Sequence, residues 1–322
     1  MYGGRIPLAR TSLLAAPSPR GVAPKTPNVF PRVSEGNSIV SASERTTPRT
    51  LFTIDKEIYM KKTILLLTSL LIGAALFAET GYDIMKKVHE VPEPKTSSST
   101  ATLTIHSKKG SDRIREVIMK SKDYGDVSKD VIVFTTPKDV AGTGYLMFNY
   151  KEDASGNKKD SDNWLYLPAM KKTRRIASSG SESEGSFMGT DFTYQDMGER
   201  SLNDYDYKLL GEESVDGVAC YKIECISKAH TEKDPRYITY IGKSDYIMHK
   251  CEFYDRQDKL HRVLTCTNFT TIKGFTTAQV MKMENVQAGT WSLIETKNIV
   301  YDDEDIDDSL FTVAALEKGR IR

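Results

Sequence analysis

With 322 residues, 39% hydrophobic and 28% charged side chains and a formal net charge of +1, the chain has enough apolar material for a sizeable core, which excludes disorder over its whole length. The charge is uneven: residues 1–59 carry eight Lys/Arg against four Asp/Glu, and residues 60–78 add Lys61 and Lys62, so the remainder is mildly acidic. Such a body argues against nucleic acid as a partner, because phosphate binding needs clustered Lys and Arg.

Residues 1–59 hold seven of the twelve prolines and show no periodicity. They read either as mis-started sequence with Met60 as the true start, or as a disordered extension. From Met60 the chain runs MKKTILLLTSLLIGAALFAET: a basic start, an apolar run from Thr63 to Phe77, then small residues. That is the layout of a secretory signal peptide over 60–78, with cleavage expected after Ala78. The apolar run is short for a bilayer span of roughly 20 residues. A periplasmic location, soluble after cleavage, is therefore expected. The four cysteines, Cys220, Cys225, Cys251 and Cys266, lack metal-type spacing and fall in strand-like segments. Export permits disulfides, and buried free thiols fit the positions equally well.

The mature part opens with a predicted helix over 82–89 that puts Ile84, Met85 and Val88 on one face, with Thr80 as its cap and Pro92 as its stop. Segments rich in Thr, Val, Ile, Tyr and Phe follow, near 99–107, 112–120, 130–136, 143–151, 163–169 and 171–177. Residues 178–200 are rich in Ser and Gly and read as a long loop with one helical turn. Strands resume near 204–212, 218–227, 236–242, 245–255, 259–270, 276–287 and 290–300. Spacing of roughly ten residues with turns between them predicts a mainly β fold built on one antiparallel meander. An acidic run over 302–308 then leads to a short helix with Leu310, Phe311, Ala314 and Ala315. It does not match a calcium loop, since its sixth position is Asp308 rather than Gly and its twelfth is Ala314 rather than Glu.

Alternation separates the faces. Tyr221, Ile223 and Cys225 oppose Lys222 and Glu224, and Met281 and Met283 oppose Lys282 and Glu284. One face is therefore apolar, and it serves either as a ligand surface or as the core beneath the terminal helices. Trp164 and Tyr166 share one face, and Leu165 and Leu167 the other, so that strand is apolar on both sides. Lys171, Lys172, Arg174 and Arg175 form a basic cluster beside it. The cluster suits a lipid headgroup or an acidic partner surface, or it serves as a solvated edge that discourages sheet pairing. In the loop 185–196, Phe187, Met188 and Phe192 are expected to be exposed among Gly and Ser. They form either a flap over a ligand or a loop folded into its own domain core.

No HExxH, GxSxG, GxxxxGK[ST] or GxGxxG pattern occurs, and Gly180-Ser181-Glu182 fails the nucleophile elbow. No enzyme activity, cofactor or metal is expected.

The segments Gly142-Thr143-Gly144, Trp164-Leu165-Tyr166-Leu167-Pro168, Lys171-Lys172-Thr173-Arg174-Arg175-Ile176 and Ser186-Phe187-Met188-Gly189-Thr190-Asp191-Phe192 together resemble the bacterial outer membrane lipoprotein-sorting protein family, of the superfamily of the lipoprotein chaperone LolA. The resemblance covers residues 80–322. It implies an incomplete, strongly curved antiparallel β-barrel with helices as a lid, enclosing an apolar cavity for the acyl chains of lipoproteins or lipids. The residues expected at that cavity and its flap are Trp164, Leu165, Tyr166, Leu167, Phe187, Met188, Phe192, Tyr221, Ile223, Met281 and Met283. The resemblance also implies an inner-membrane transport protein of the resistance-nodulation-division type as a partner, and the carrier itself is expected to be a monomer. A sensor of the same fold, binding a lipidated signal and a regulatory protein, is the alternative.

Overall fold

The computed structural model describes residues 79–152 and 158–321. The expected signal peptide at 60–78 and the segment before it lie outside the described residues. The chain enters through α1 (Gly81–Glu90), whose cap is the predicted one. Thr80 Oγ1 accepts from the Asp83 amide at 3.2 Å, and the Asp83 carboxylate accepts from the Thr80 amide at 3.0 Å, which satisfies two otherwise orphaned donors. Ile84 and Met85 on its inner face are buried.

Thirteen strands follow: β1 (Thr96–His106), β2 (Arg113–Asp123), β3 (Val127–Thr136), β4 (Gly144–Tyr150), β5 (Asp162–Leu167), β6 (Lys172–Ile176), β7 (Tyr205–Val215), β8 (Val218–Ser227), β9 (Arg236–Gly242), β10 (Met248–Tyr254), β11 (Leu260–Ile272), β12 (Phe275–Asn285) and β13 (Thr290–Tyr301). They form one sheet in the order β6-β5-β4-β3-β2-β1-β13-β12-β11-β10-β9-β8-β7. All twelve pairings are antiparallel, as the predicted meander requires. The long-range pairing of β1 with β13, in which Ala101 faces Thr296 and Leu103 faces Ile294, puts the first strand at the middle and leaves β6 and β7 as free edges.

The sheet is strongly curved. At about 4.8 Å per strand, thirteen flat strands would span ~58 Å. Yet every strand contributes to one buried cluster, from Leu165 of β5 and Ile176 of β6 to Tyr205 of β7, with Ile84 and Met85 of α1. Only a sheet curled around its own inner face brings these side chains together.

The convex side carries a second cluster. There Val131, Val133 and Leu146 pack against Ile306, Phe311, Ala315 and Leu316 of the C-terminal segment, which ends in α3 (Val313–Glu317). Gly144 makes this seat possible, because a Cβ there would run into the Leu316 side chain. Gly142 serves the adjoining turn at φ 82. The acidic run clasps the neighbouring strands: Asp302 accepts from the Lys95 amide at 3.0 Å, Asp303 from Ser98 Oγ at 3.0 Å, and Asp308 from Tyr124 Oη at 2.8 Å. All four cysteines are free and buried. No helix among the described residues is long and apolar enough to cross a membrane.

Candidate functional site

The inner face of the curled sheet is the natural place for a site, and the segment between β6 and β7 occupies it. Residues 183–197 leave the sheet edge, double back and enter the hollow as a plug. A bridge between Ser186 and Thr193 closes the plug's neck, and the Phe187 amide donates to Phe192 O at 2.7 Å. The reversal needs left-handed backbone at its tip, which Met188 (φ 51) and Gly189 (φ 78) supply. Thr193 then caps the single turn α2 (Tyr194–Met197), in a reciprocal capping box with Asp196.

The expectation that Phe187, Met188 and Phe192 are exposed is corrected here: Phe187 is 2% and Phe192 0% exposed, and Met188 is half-buried against the same cluster. The physical reason is aromatic packing. Phe187 lies 5.4 Å from the Tyr145 ring, 5.5 Å from Tyr194 and 6.2 Å from Phe134.

Polar contacts hold the plug at three places. At β12–β13, Asp191 accepts from Thr290 Oγ1 at 2.5 Å and from Ser292 Oγ at 2.7 Å. At β2, Arg115 donates to Met188 O and Arg113 to Gly189 O at 3.4 Å. Arg115 is 9% exposed and lies over the Phe134 ring, and burial pulls its pKa below the usual guanidinium range. The third anchor is a buried ion network. Asp196 pairs with Arg262 of β11 and, at 3.1 Å, with Arg200. Arg262 Nε donates to Asp234 at 2.9 Å, and the other Asp234 oxygen lies 2.6 Å from His261 Nδ1. Burial alone would push the Asp196 carboxyl up, but the Arg262 and Arg200 guanidiniums overcome it and hold the group down at about 2.

Nine of the eleven expected cavity residues share this hollow. Leu165, Phe187, Phe192, Ile223, Met281 and Met283 belong to the inner cluster, and Leu167, Met188 and Tyr221 pack against it. The other two do not. Trp164 and Tyr166 lie on the convex side beneath the C-terminal segment, because alternate residues of one strand point to opposite faces. Their expected place in the same cavity is corrected accordingly. Of the basic cluster, Arg174 pairs with Glu182 and Arg175 with Asp162, while Lys171 and Lys172 stand exposed at the β5–β6 turn. Sequence reasoning missed Arg115, Asp191, Asp196, Arg200, Asp234 and Arg262. Only Asp191, set in the quoted loop motif between two aromatic residues, carried a local signal.

Beside the hollow, a polar cavity of about 710 Å³ opens in the gap between the two sheet edges, lined in part by Lys158, Asn163, Ser183, Arg200, Tyr205 and Lys228. Tyr205 belongs to the apolar cluster and also lines this cavity, so the packed apolar core adjoins a polar cavity.

Residues 126–318 match a family model described as an uncharacterized protein-like family. The chain is similar to the crystal structure of a DUF1329 family protein from Desulfovibrio piger, with 32% identity and a TM-score of 0.67, over 73% of this chain and 97% of that one. It is also similar to a putative outer membrane lipoprotein-sorting protein domain from Vibrio parahaemolyticus, with 27% identity and a TM-score of 0.66, over 74% of this chain and 98% of that one. A LolA superfamily protein from Nitrosomonas europaea shares the fold at 19% identity and a TM-score of 0.56, over 74% of this chain and 100% of that one. No curated protein matches the chain.

Proposed function

The chain belongs to the DUF1329 family and shares its fold with LolA-like proteins, and on that premise we propose that it is a periplasmic carrier for the acyl chains of a lipoprotein or lipid. One observation carries this reading. The apolar inner face is covered by a segment of the chain itself, held in the hollow by side-chain hydrogen bonds, ion pairs and aromatic contacts. Such a cover can leave without breaking the thirteen-stranded sheet, and an acyl chain can take its place among Tyr145, Met281 and Met283.

The energetics suit a carrier that does no bond chemistry. Each buried methylene is worth ~0.8 kcal/mol, so a long acyl chain contributes on the order of 10 kcal/mol before ordering costs and the displacement of Phe187 and Phe192. The adjoining polar cavity suits the headgroup or peptide end of an amphiphile. A membrane transporter of the resistance-nodulation-division type is the proposed partner for loading or release, and export through the leader at 60–78 would place the protein between the membranes.

Mass spectrometry of organic extracts tests the reading on protein purified from its native envelope. Stoichiometric acyl lipid is the expected result. Lipid-free extracts from repeated preparations, with a stably bound regulatory protein instead, would overturn the carrier in favour of a sensor.

A further inference from the structure

The inner face is not uniformly apolar. On β1 the residues pointing inward are Ser97, Ser99, Ala101, Leu103 and Ile105, all buried. On β13 they are Ser292, Ile294 and Thr296, which face Ile105, Leu103 and Ala101 in register. Two of these side chains stand apart. Ser99 Oγ and Thr296 Oγ1 are fully enclosed and have no hydrogen-bond partner, with the residues 4% and 2% exposed. Ser97 and Ser292 do not share that condition.

Thr296 sits opposite Ala101, two residues along from Ser99, which lies at a bulge in the β1–β13 pairing, so the two hydroxyls are about one diagonal step apart on the same face, on the order of 7 Å between Cβ atoms. Around them the inner cluster supplies Ala101, Met119, which is the β2 partner of Ser99, and Ile294. A buried hydroxyl with no hydrogen-bond partner is destabilising, and this strip of sheet carries two. The small side chains beside them, Ser97 and Ala101, leave the strand surface low at this point.

We propose that Ser99 and Thr296 are the polar seat of the hollow and donate hydrogen bonds to the ester carbonyls of a diacylglyceryl lipid. The inference rests on the reading of the hollow as an acyl site and adds to it the chemical class of the ligand. A hydroxyl donor recognises a carbonyl oxygen, and two donors one diagonal step apart suit two esters on neighbouring glycerol carbons. The flanking Met119 and Ile294 give the two chains an apolar bed. An ether-linked lipid of the same shape offers no carbonyl and leaves both hydroxyls orphaned.

The test compares dioctanoyl phosphatidylglycerol with its dioctyl ether counterpart, by calorimetry on the purified protein. The wild type should bind the ester about tenfold more tightly than the ether. The variant Ser99→Ala/Thr296→Val should bind both alike. It loses only unpaired hydroxyls, so its melting temperature should match or exceed the wild type. Equal binding of ester and ether by the wild type overturns this inference alone, as does an ester preference that survives in the variant. Binding of neither lipid overturns the acyl-site reading along with it. A synthetic S-diacylglyceryl cysteine peptide carries the same esters. If it displaces the phospholipid at lower concentration, the ester belongs to a lipoprotein; if it does not, the ester belongs to a phospholipid.

Discussion

Asp196 and Arg262, 66 residues apart in sequence, meet as a buried ion pair that ties the plug to β11. Arg262 also holds Asp234, so this one guanidinium serves two carboxylates, one on the plug and one on the loop before β9. Removing one partner of such a pair leaves an uncompensated charge in the interior, which costs about 3–5 kcal/mol. Arg262→Met should lower the stability measured by urea unfolding by that amount. Asp196→Asn should cost less in the Arg262→Met background than in the wild type. A loss under about 1 kcal/mol for Arg262→Met would mean that the pair does not hold the plug.

The same carboxyl sets an acid limit. The Arg262 and Arg200 guanidiniums hold the Asp196 carboxyl at about 2 in the folded protein, below the usual carboxylate range. A depressed carboxyl contributes stability that is fully present above its unfolded pKa and lost as pH falls through its folded one. The window is therefore pH 4 down to pH 2, and the contribution is on the order of 2 kcal/mol. Wild type and Asp196→Asn should differ in urea midpoint at pH 6, and the gap should narrow by pH 2.5. An unchanged gap would assign the acid sensitivity to other groups.

On the proposed carrier reading, Phe187 is the group a ligand must displace from the hollow. Phe187→Ala removes its contacts with Phe134, Tyr145 and Tyr194, and should cost about 3 kcal/mol in the absence of lipid. Because the competitor is weakened, dioctanoyl phosphatidylglycerol should raise the melting temperature of this variant more than that of the wild type. Equal rises in thermal-shift measurements would place lipid binding away from Phe187.

Strand positions were legible because period two and turn residues are local signals, and each of the thirteen predicted segments overlaps an observed strand. Thr80 marked the start of α1 in the same local way. The site was harder to read. Alternation in 163–167 shows that Trp164 and Leu165 part company, but not which of them faces inward, since that depends on the hand of the curl and on where the C-terminal segment lies. Between a flap and a loop folded into its own core, the sequence left the plug open, because Gly185, Ser186 and Gly189 surround its aromatic residues; the core placement depends also on Asp191 and Asp196 finding partners about 100 and 66 residues downstream. The β1–β13 pairing that sets Ser99 beside Thr296 spans nearly 200 residues and leaves no local trace.

Gly144 and Leu316 are coupled in a way that a double-mutant cycle can read. A methyl group at Gly144 would strike the Leu316 side chain, which is buried beneath the convex face. Overpacking of this kind costs about 1–3 kcal/mol. Gly144→Ala should therefore destabilise, and Leu316→Ala, harmful in the wild type through its cavity, should be much less harmful in the Gly144→Ala background. Additive losses in chemical denaturation would show that the C-terminal helix shifts away instead of clashing.

The cysteines should stay reduced even in an oxidising compartment, for reasons of sheet geometry. Cys225 and Cys251 lie on strands separated by β9, so about 9.6 Å divides them, beyond the ~7 Å limit for a bridge. Cys251 faces Leu264 rather than Cys266, which puts Cys266 on the diagonal at roughly 7–8 Å. Cys220 belongs to an outer cluster with Ile238 and Tyr240. Burial also pushes the thiol of Cys266 up to about 12 and that of Cys220 to about 11, so neither forms thiolate at neutral pH. Maleimide at pH 7 should label none of the four in native protein and all four in guanidinium, with the intact mass unchanged by oxidised glutathione. Labelling of native protein at Cys225, Cys251 or Cys266 would mean that the inner face opens without ligand, and that the plug is far looser than its ion network implies.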